Sequence, residues 1–174
     1  MKVRLSDIGN EDLHIVTFRK PEWLTNIPEL VKDTDDTRLS SNIVFDLRLA
    51  KILKEVKEVN VCGTIRFSIK SLCARCLRNV DLPISPQVNL VLSPVNTPEE
   101  RNGDIDYETY NGEEFDLGNY LRETIAMSLP IKVLCREDCK GLCSNCGANL
   151  NLRICPCKDD WVDSRFTVLR DLKI

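Results

Sequence analysis

Histidine is nearly missing from these 174 residues: His14 is the only one. Most catalytic arrangements that rely on an imidazole are thereby excluded, unless His14 itself serves. No apolar run approaches the roughly 20 residues that a membrane helix needs. The opening stretch, MKVRLSDIGNEDLHIV, alternates polar and apolar residues and has no apolar h-region, so a secretory signal is not expected. It is also acidic rather than rich in Arg and Ser, which argues against an organellar transit peptide; the expected location is cytoplasmic. An excess of positive charge is lacking as well. With 24 Lys and Arg against 27 Asp and Glu, the chain stands at −3, which argues against binding polyanions through global charge. There is no useful internal repeat, no low-complexity tract, no Walker loop, no G-x-S-x-G and no H-x-E partner to a C-x-x-C pair.

The residue in excess is cysteine. There are nine, six of them between residues 135 and 157. The apolar share of 43% and the charged share of 29% suit a globular core, and the length suits one domain with a small appended module. Charge is unevenly spread. Residues 99–116 carry eight acids against one base, so the rest of the chain stands at +4. Between Val59 and Val80 there are Arg66, Lys70, Arg75 and Arg78 and no acid at all. That stretch reads either as an ordinary solvated strand face or as a surface for anions.

Period-two alternation marks the main strands. In 43–49 the residues Ile43, Phe45, Leu47 and Leu49 share one face, and in 59–71 Val59, Val61, Ile65, Phe67 and Ile69 do. Residues 53–57 can form the turn between them, and Val88, Leu90 and Leu92 continue the pattern. Shorter strands are expected at 2–8 and 13–19. Consecutive strands with short links predict an antiparallel meander. Helices are expected near 22–32, at 117–129 behind an Asp116 cap and before Pro130, and at 164–172. The fold class is therefore α+β: an antiparallel meander or barrel-like sheet, a few helices and a cysteine-rich C-terminal module. Residues 1–134 are expected to form the sheet domain, with an acidic loop at 99–116. Residues 135–174 are expected to form a zinc module and last helix, packed on the sheet as one unit. Acid-rich, glycine-containing residues 99–113 are expected to add little stability.

The spacing is Cys73-x2-Cys76, a long gap, then Cys135-x3-Cys139-x3-Cys143-x2-Cys146-x8-Cys155-x-Cys157. Eight clustered thiols suggest two four-thiolate sites, and zinc favours that tetrahedral sulfur ligation. Cys143-Ser-Asn-Cys146-Gly147 has the form of a zinc knuckle, with a glycine that lets amides approach the second sulfur. Disulfides, a redox C-x-x-C and an iron–sulfur cluster are the competing readings. One grouping joins Cys143, Cys146, Cys155 and Cys157, leaving Cys73, Cys76, Cys135 and Cys139. Another joins the two C-x2-C turns, like a split zinc ribbon. Cys62 stands apart as a spare thiol.

A closed four-thiolate site leaves no open position for chemistry, so a non-catalytic binder is favoured over a thiol-redox or metal-dependent enzyme using the C-x-x-C motifs. Two filled zinc sites would take the formal charge from −3 to about −7, which favours a protein partner or a small RNA footprint. The bases to test are Arg66, Lys70, Arg75 and Arg78, then Lys132, Lys140 and Arg153.

Cys73-Ala-Arg-Cys76-Leu77 after a long strand, an acidic stretch, a helix ending in Leu129-Pro130, and Cys139-Lys-Gly-Leu-Cys143-Ser-Asn-Cys146-Gly-Ala-Asn-Leu-Asn151 follow one another here. Cys155-Pro-Cys157 and Asp163-Ser-Arg165 complete the series. In order and spacing it resembles the YceD family, the large ribosomal RNA subunit accumulation proteins, over roughly residues 40–174. The K-G-L-C-x-x-C-G-x-N-L-N block is the specific part. The resemblance implies a role in accumulation of large-subunit ribosomal RNA and in ribosome assembly, and no known catalytic activity. It implies large-subunit RNA or precursor particles as partners, directly or through an assembly or ribosomal protein, with no membrane and no small-molecule substrate.

Overall fold

A computed structural model describes residues 1–9, 11–20, 24, 39–52, 57–95 and 105–157. The chain divides into two compact units, Met1–Ser71 with Asn79–Ile131, and Leu72–Arg78 with Lys132–Ile174. The second unit thus takes in a short piece from the end of the long strand, which a division at 134/135 leaves with the sheet.

In the first unit, β2 (Leu13–Arg19), β3 (Ile43–Lys51), β4 (Val59–Leu72), β6 (Gln87–Pro94) and β7 (Asp106–Tyr110) line up in the order β2-β3-β4-β6-β7, and β5 (Asn79–Ile84) pairs β4. A separate ribbon joins β1 (Lys2–Arg4) to β8 (Glu114–Asp116). The alternation expected of β3 and β4 is realised: Phe45, Leu47, Val61, Ile65 and Phe67 all point into one buried face. Where β3 and β4 cross, Gly63 faces Leu47, and a Cβ on it would lie 2.1 Å from the Asp46 carbonyl oxygen. Only glycine allows the two backbones that close.

The helix α1 (Gly118–Met127) starts one residue later than expected and ends two earlier. The N-cap position falls on Leu117, which has no side-chain cap, while Asp116 one residue earlier accepts the Gly118 N–H on Oδ1 at 2.7 Å. Leu117, Leu121 and Ile125 are buried in the same core as the sheet. Each such aliphatic side chain contributes about 1.5–3 kcal/mol on burial.

Four expectations need correction. The strand expected over 2–8 stops at Arg4 and continues as a 3-10 turn over Leu5–Asp7. The sheet is not an all-antiparallel meander: β7 runs parallel to β6. A link over residues 95–105 approaches the dozen residues a parallel crossover needs, so a hairpin was not forced. Nor is it barrel-like, because among the described residues β2 and β7 end the sheet without pairing. Finally, the acidic stretch is not simply a loop. Residues 106–110 and 114–116 are strands, with Tyr110 and Phe115 buried and their rings 5.7 Å apart. Its acids are anchored: Glu113 pairs Lys57 at 2.8 Å, and Asp106 accepts the Tyr120 hydroxyl at 2.7 Å. Burial, then that carboxylate, pushes the Tyr120 phenol up to about 12. Charged residues on β7 suit its edge position, where they discourage further pairing. Residues 99–104, the turn at 53–56 and the helices expected at 22–32 and 164–172 lie outside the described residues, save Leu24, which is buried in the core.

Candidate metal centres

The second unit brings together the eight cysteines in two sets of four. Cys73, Cys76, Cys135 and Cys139 form one, and Cys143, Cys146, Cys155 and Cys157 the other; within each set the sulfurs all lie within 4.8 Å of one another. This is the first of the two groupings, not the split ribbon. Cys73 and Cys139 are 3.8 Å apart and Cys76 and Cys135 3.6 Å, while in the other set Cys155 is 3.4 Å from both Cys143 and Cys146. A tetrahedral ion bound at about 2.3 Å sets its sulfurs about 3.8 Å apart, so both donor sets fit such an ion. Cys62 is exposed on β4 and belongs to neither set.

Both C-x2-C turns are built alike. Leu77 N–H donates to the Cys73 carbonyl at 3.0 Å, and Gly147 N–H to the Cys143 carbonyl at 2.9 Å. Cys73 N–H reaches the Arg78 carbonyl and Cys143 N–H the Ala148 carbonyl, each at 2.8 Å. The residue after the second cysteine turns left-handed in both, with φ of 57° at Leu77 and 70° at Gly147. These turns aim amides at the sulfurs. Burial opposes ionisation of Cys73, yet the Cys135, Cys76 and Arg75 amides outweigh it and bring that thiol down to about 6. The Cys146 and Asn145 amides bring Cys143 down to about 7. Burial and then the thiols of Cys76, Cys139 and Cys73 push Cys135 up to about 12, and Cys155 and Cys146 do the same to Cys157. Each set thus offers at least one readily formed thiolate and at least one thiol that needs a cation's field to lose its proton.

The loop carrying Cys139 is held by side chains that sequence reasoning did not single out. Asn151 donates from Nδ2 to Cys139 Sγ at 3.4 Å, while its Oδ1 accepts the Lys140 N–H at 2.8 Å and the Arg136 guanidinium at 2.9 Å. Asn149 Oδ1 in turn accepts the Asn151 backbone and side-chain N–H groups at 2.9 and 2.8 Å. Their signal was present in the Asn-Leu-Asn of the motif block, but no ligand chemistry points to it.

Of the basic candidates, Arg66 and Lys70 lie in the first unit and Arg75 and Arg78 in the second, all exposed. Arg66 is not clear of acids: Asp46 on β3 pairs it at 3.1 Å and also meets His14 Nε2 at 2.7 Å. Hydrogen bonding to His14 holds the Asp46 carboxyl below its usual range, burial opposes this, and the charges of His14 and Arg66 add to the lowering. Arg75 Nη1 donates to the carbonyls of Cys139 at 2.8 Å and Glu137 at 3.3 Å, bracing the first cysteine set.

A mixed sheet in one unit and two four-cysteine, metal-compatible clusters in a second define the class of this protein. The family model described as large ribosomal RNA subunit accumulation protein YceD matches residues 61–173, and the chain belongs to that family. It is 26% identical over 149 residues to the chloroplastic YCED homolog 1 of Arabidopsis thaliana, covering 70% of this chain and 46% of that protein. An uncharacterized protein of Mycobacterium leprae is 30% identical over 114 residues, covering 62% of this chain and 49% of the other. The chloroplastic homolog 1 of Zea mays is 40% identical over 47 residues, 26% of this chain and 16% of that one. The chain spans about half the length of the first two relatives or less. No solved structure matches it. Among the described residues no helix is long and apolar enough to cross a membrane.

Proposed function

We propose that this chain is a non-catalytic, zinc-binding protein that supports accumulation of large-subunit ribosomal RNA by acting in large-subunit assembly. The observation that carries the role is the family match over residues 61–173, together with the YCED homologs named as large ribosomal RNA subunit accumulation proteins. Zinc as the metal, two ions in number, is supported by all-sulfur donor sets at tetrahedral spacing. A four-thiolate set leaves no position for substrate, which supports a staple over a catalytic ion. Its partners are large-subunit RNA or precursor particles, reached directly or through an assembly or ribosomal protein, and its place of action is the cytoplasm. Arg66, Lys70, Arg75 and Arg78 are the bases proposed to meet RNA. Cells depleted of the protein are expected to lose large-subunit RNA relative to small-subunit RNA, and the purified protein to hold two zinc ions. Normal ratios on depletion would overturn the role; a different metal or stoichiometry would overturn the zinc assignment.

A further inference from the structure

The sheet has a second face, opposite the core, and the strand register arranges its side chains in rows. Phe18 of β2 stands opposite Val44 of β3, and Val44 opposite Arg66 of β4. The next row runs Val16, Asp46, Thr64, and the one after it His14, Arg48, Cys62. Phe18 is 60% exposed and Val16 62% exposed, both on a strand with no partner on its outer side among the described residues. A phenylalanine left in water at the open end of such a row forgoes the gain of burial. The apolar ground is small, because the neighbours are Asp46, Arg48, Thr64 and Arg66, whereas a stable protein interface needs a far larger patch. What suits an isolated aromatic ring among basic groups on a sheet is an unpaired nucleobase with its phosphate.

We propose that the outer face of β2–β4 binds single-stranded RNA, with Phe18 as the stacking surface and Arg66 and Arg48 as phosphate contacts. Arg66 lies two strand spacings from Phe18, roughly 10 Å, a span that a base and a nearby phosphate can bridge. Asp46 holds one end of the Arg66 guanidinium at 3.1 Å and so fixes its position, while a guanidinium's five N–H donors leave others for phosphate. Bases on this face of the three strands are Arg48, Arg66 and Lys70 against the single acid Asp46. A duplex hides its base faces and offers the ring nothing. This inference rests on the reading that the chain works on ribosomal RNA.

The test is fluorescence anisotropy of the full, zinc-loaded chain with an unstructured oligoribonucleotide and with the same strand in a duplex. The single strand should bind more tightly. Phe18→Ala should weaken it about 10-fold or more with an unchanged salt slope, and Phe18→Trp should retain it. Arg48→Gln should instead reduce the log–log salt slope by about 0.7. Zinc content and melting temperature report folding, and exposed Phe18 should leave both unchanged. Equal binding by Phe18→Ala, or a duplex bound as well as the single strand, overturns the platform. So does a Phe18→Ala chain that loses precursor particles yet binds RNA normally, because that marks a protein contact. None of these results touches the assembly role, which falls only with normal ribosomal RNA ratios in depleted cells.

Discussion

Leu77 and Gly147 occupy the same position in two turns of the same design, yet only one of them is suited to it. A left-handed backbone costs a non-glycine residue about 1–2 kcal/mol. Leu77 bears that cost at φ 57°, with its side chain 59% exposed. Gly147→Leu, which copies the first turn into the second, is therefore expected to destabilise the metal-loaded protein by about 1–2 kcal/mol, read from denaturant midpoints. A second residue matters through a sulfur of the first cysteine set. Asn151 supplies the Cys139 thiolate with an N–H and ties down the Lys140 amide. Asn151→Ala is expected to weaken metal retention at the Cys73, Cys76, Cys135 and Cys139 set by about 10-fold or more, measured by chelator competition. The cysteines were legible because thiols at C-x-x-C spacing have few other uses. Asn151 was not, because an amide's role depends on which loop the fold lays beside it.

Elements were legible in proportion to their hydrophobic signal. β3 and β4 alternate over long runs, and α1 has an apolar face, so burial dictates each. β7 sits at the sheet edge and carries Asp106 and Glu108, and its acidity masked a pattern that only Tyr110 commits to the core. β5 was also missed; it carries Asp81 and Pro83 and buries no residue fully. The consequence for stability reverses the expectation for residues 99–113. Tyr110 packs on Phe115, and its hydroxyl donates to the Lys57 carbonyl. Tyr110→Ala should cost about 3 kcal/mol or more, as large aromatic truncations in cores do, and thermal or denaturant unfolding checks it. A shift of only a degree or two would show that this edge strand is dispensable.

At the scale of the molecule the two units are held by different forces. The first has a continuous core of aliphatic and aromatic side chains from Val3 to Ile125. In the second, the described buried residues are four of the eight clustered cysteines with Val133, Gly141 and Ala148, too little apolar surface to fold a unit without help. Sequence spacing suggested a metal staple. Both groupings read from that spacing already tie the strand-end turn at Cys73 to residues 132 onward, but spacing could not choose between them, because a pairing across 66 positions rests on three-dimensional closure. Binding energy at a structural metal site is folding energy, so the second unit should unfold under a chelator while the first keeps its core. The two sets also differ in shielding. Cys73, Cys76 and Cys139 are buried, whereas Cys146 and Cys157 are exposed. A strong chelator should therefore remove one ion quickly from the Cys143–Cys157 set and a second more slowly from the other. Protease cuts should appear first near residues 143–157, then near 73–78 and 132–139, while the sheet's circular dichroism persists. Cys146→Ser should abolish the fast phase and leave the slow one. Simultaneous release of both ions, or loss of the sheet signal with the first, would show that the metal sites and the core fold as one cooperative body.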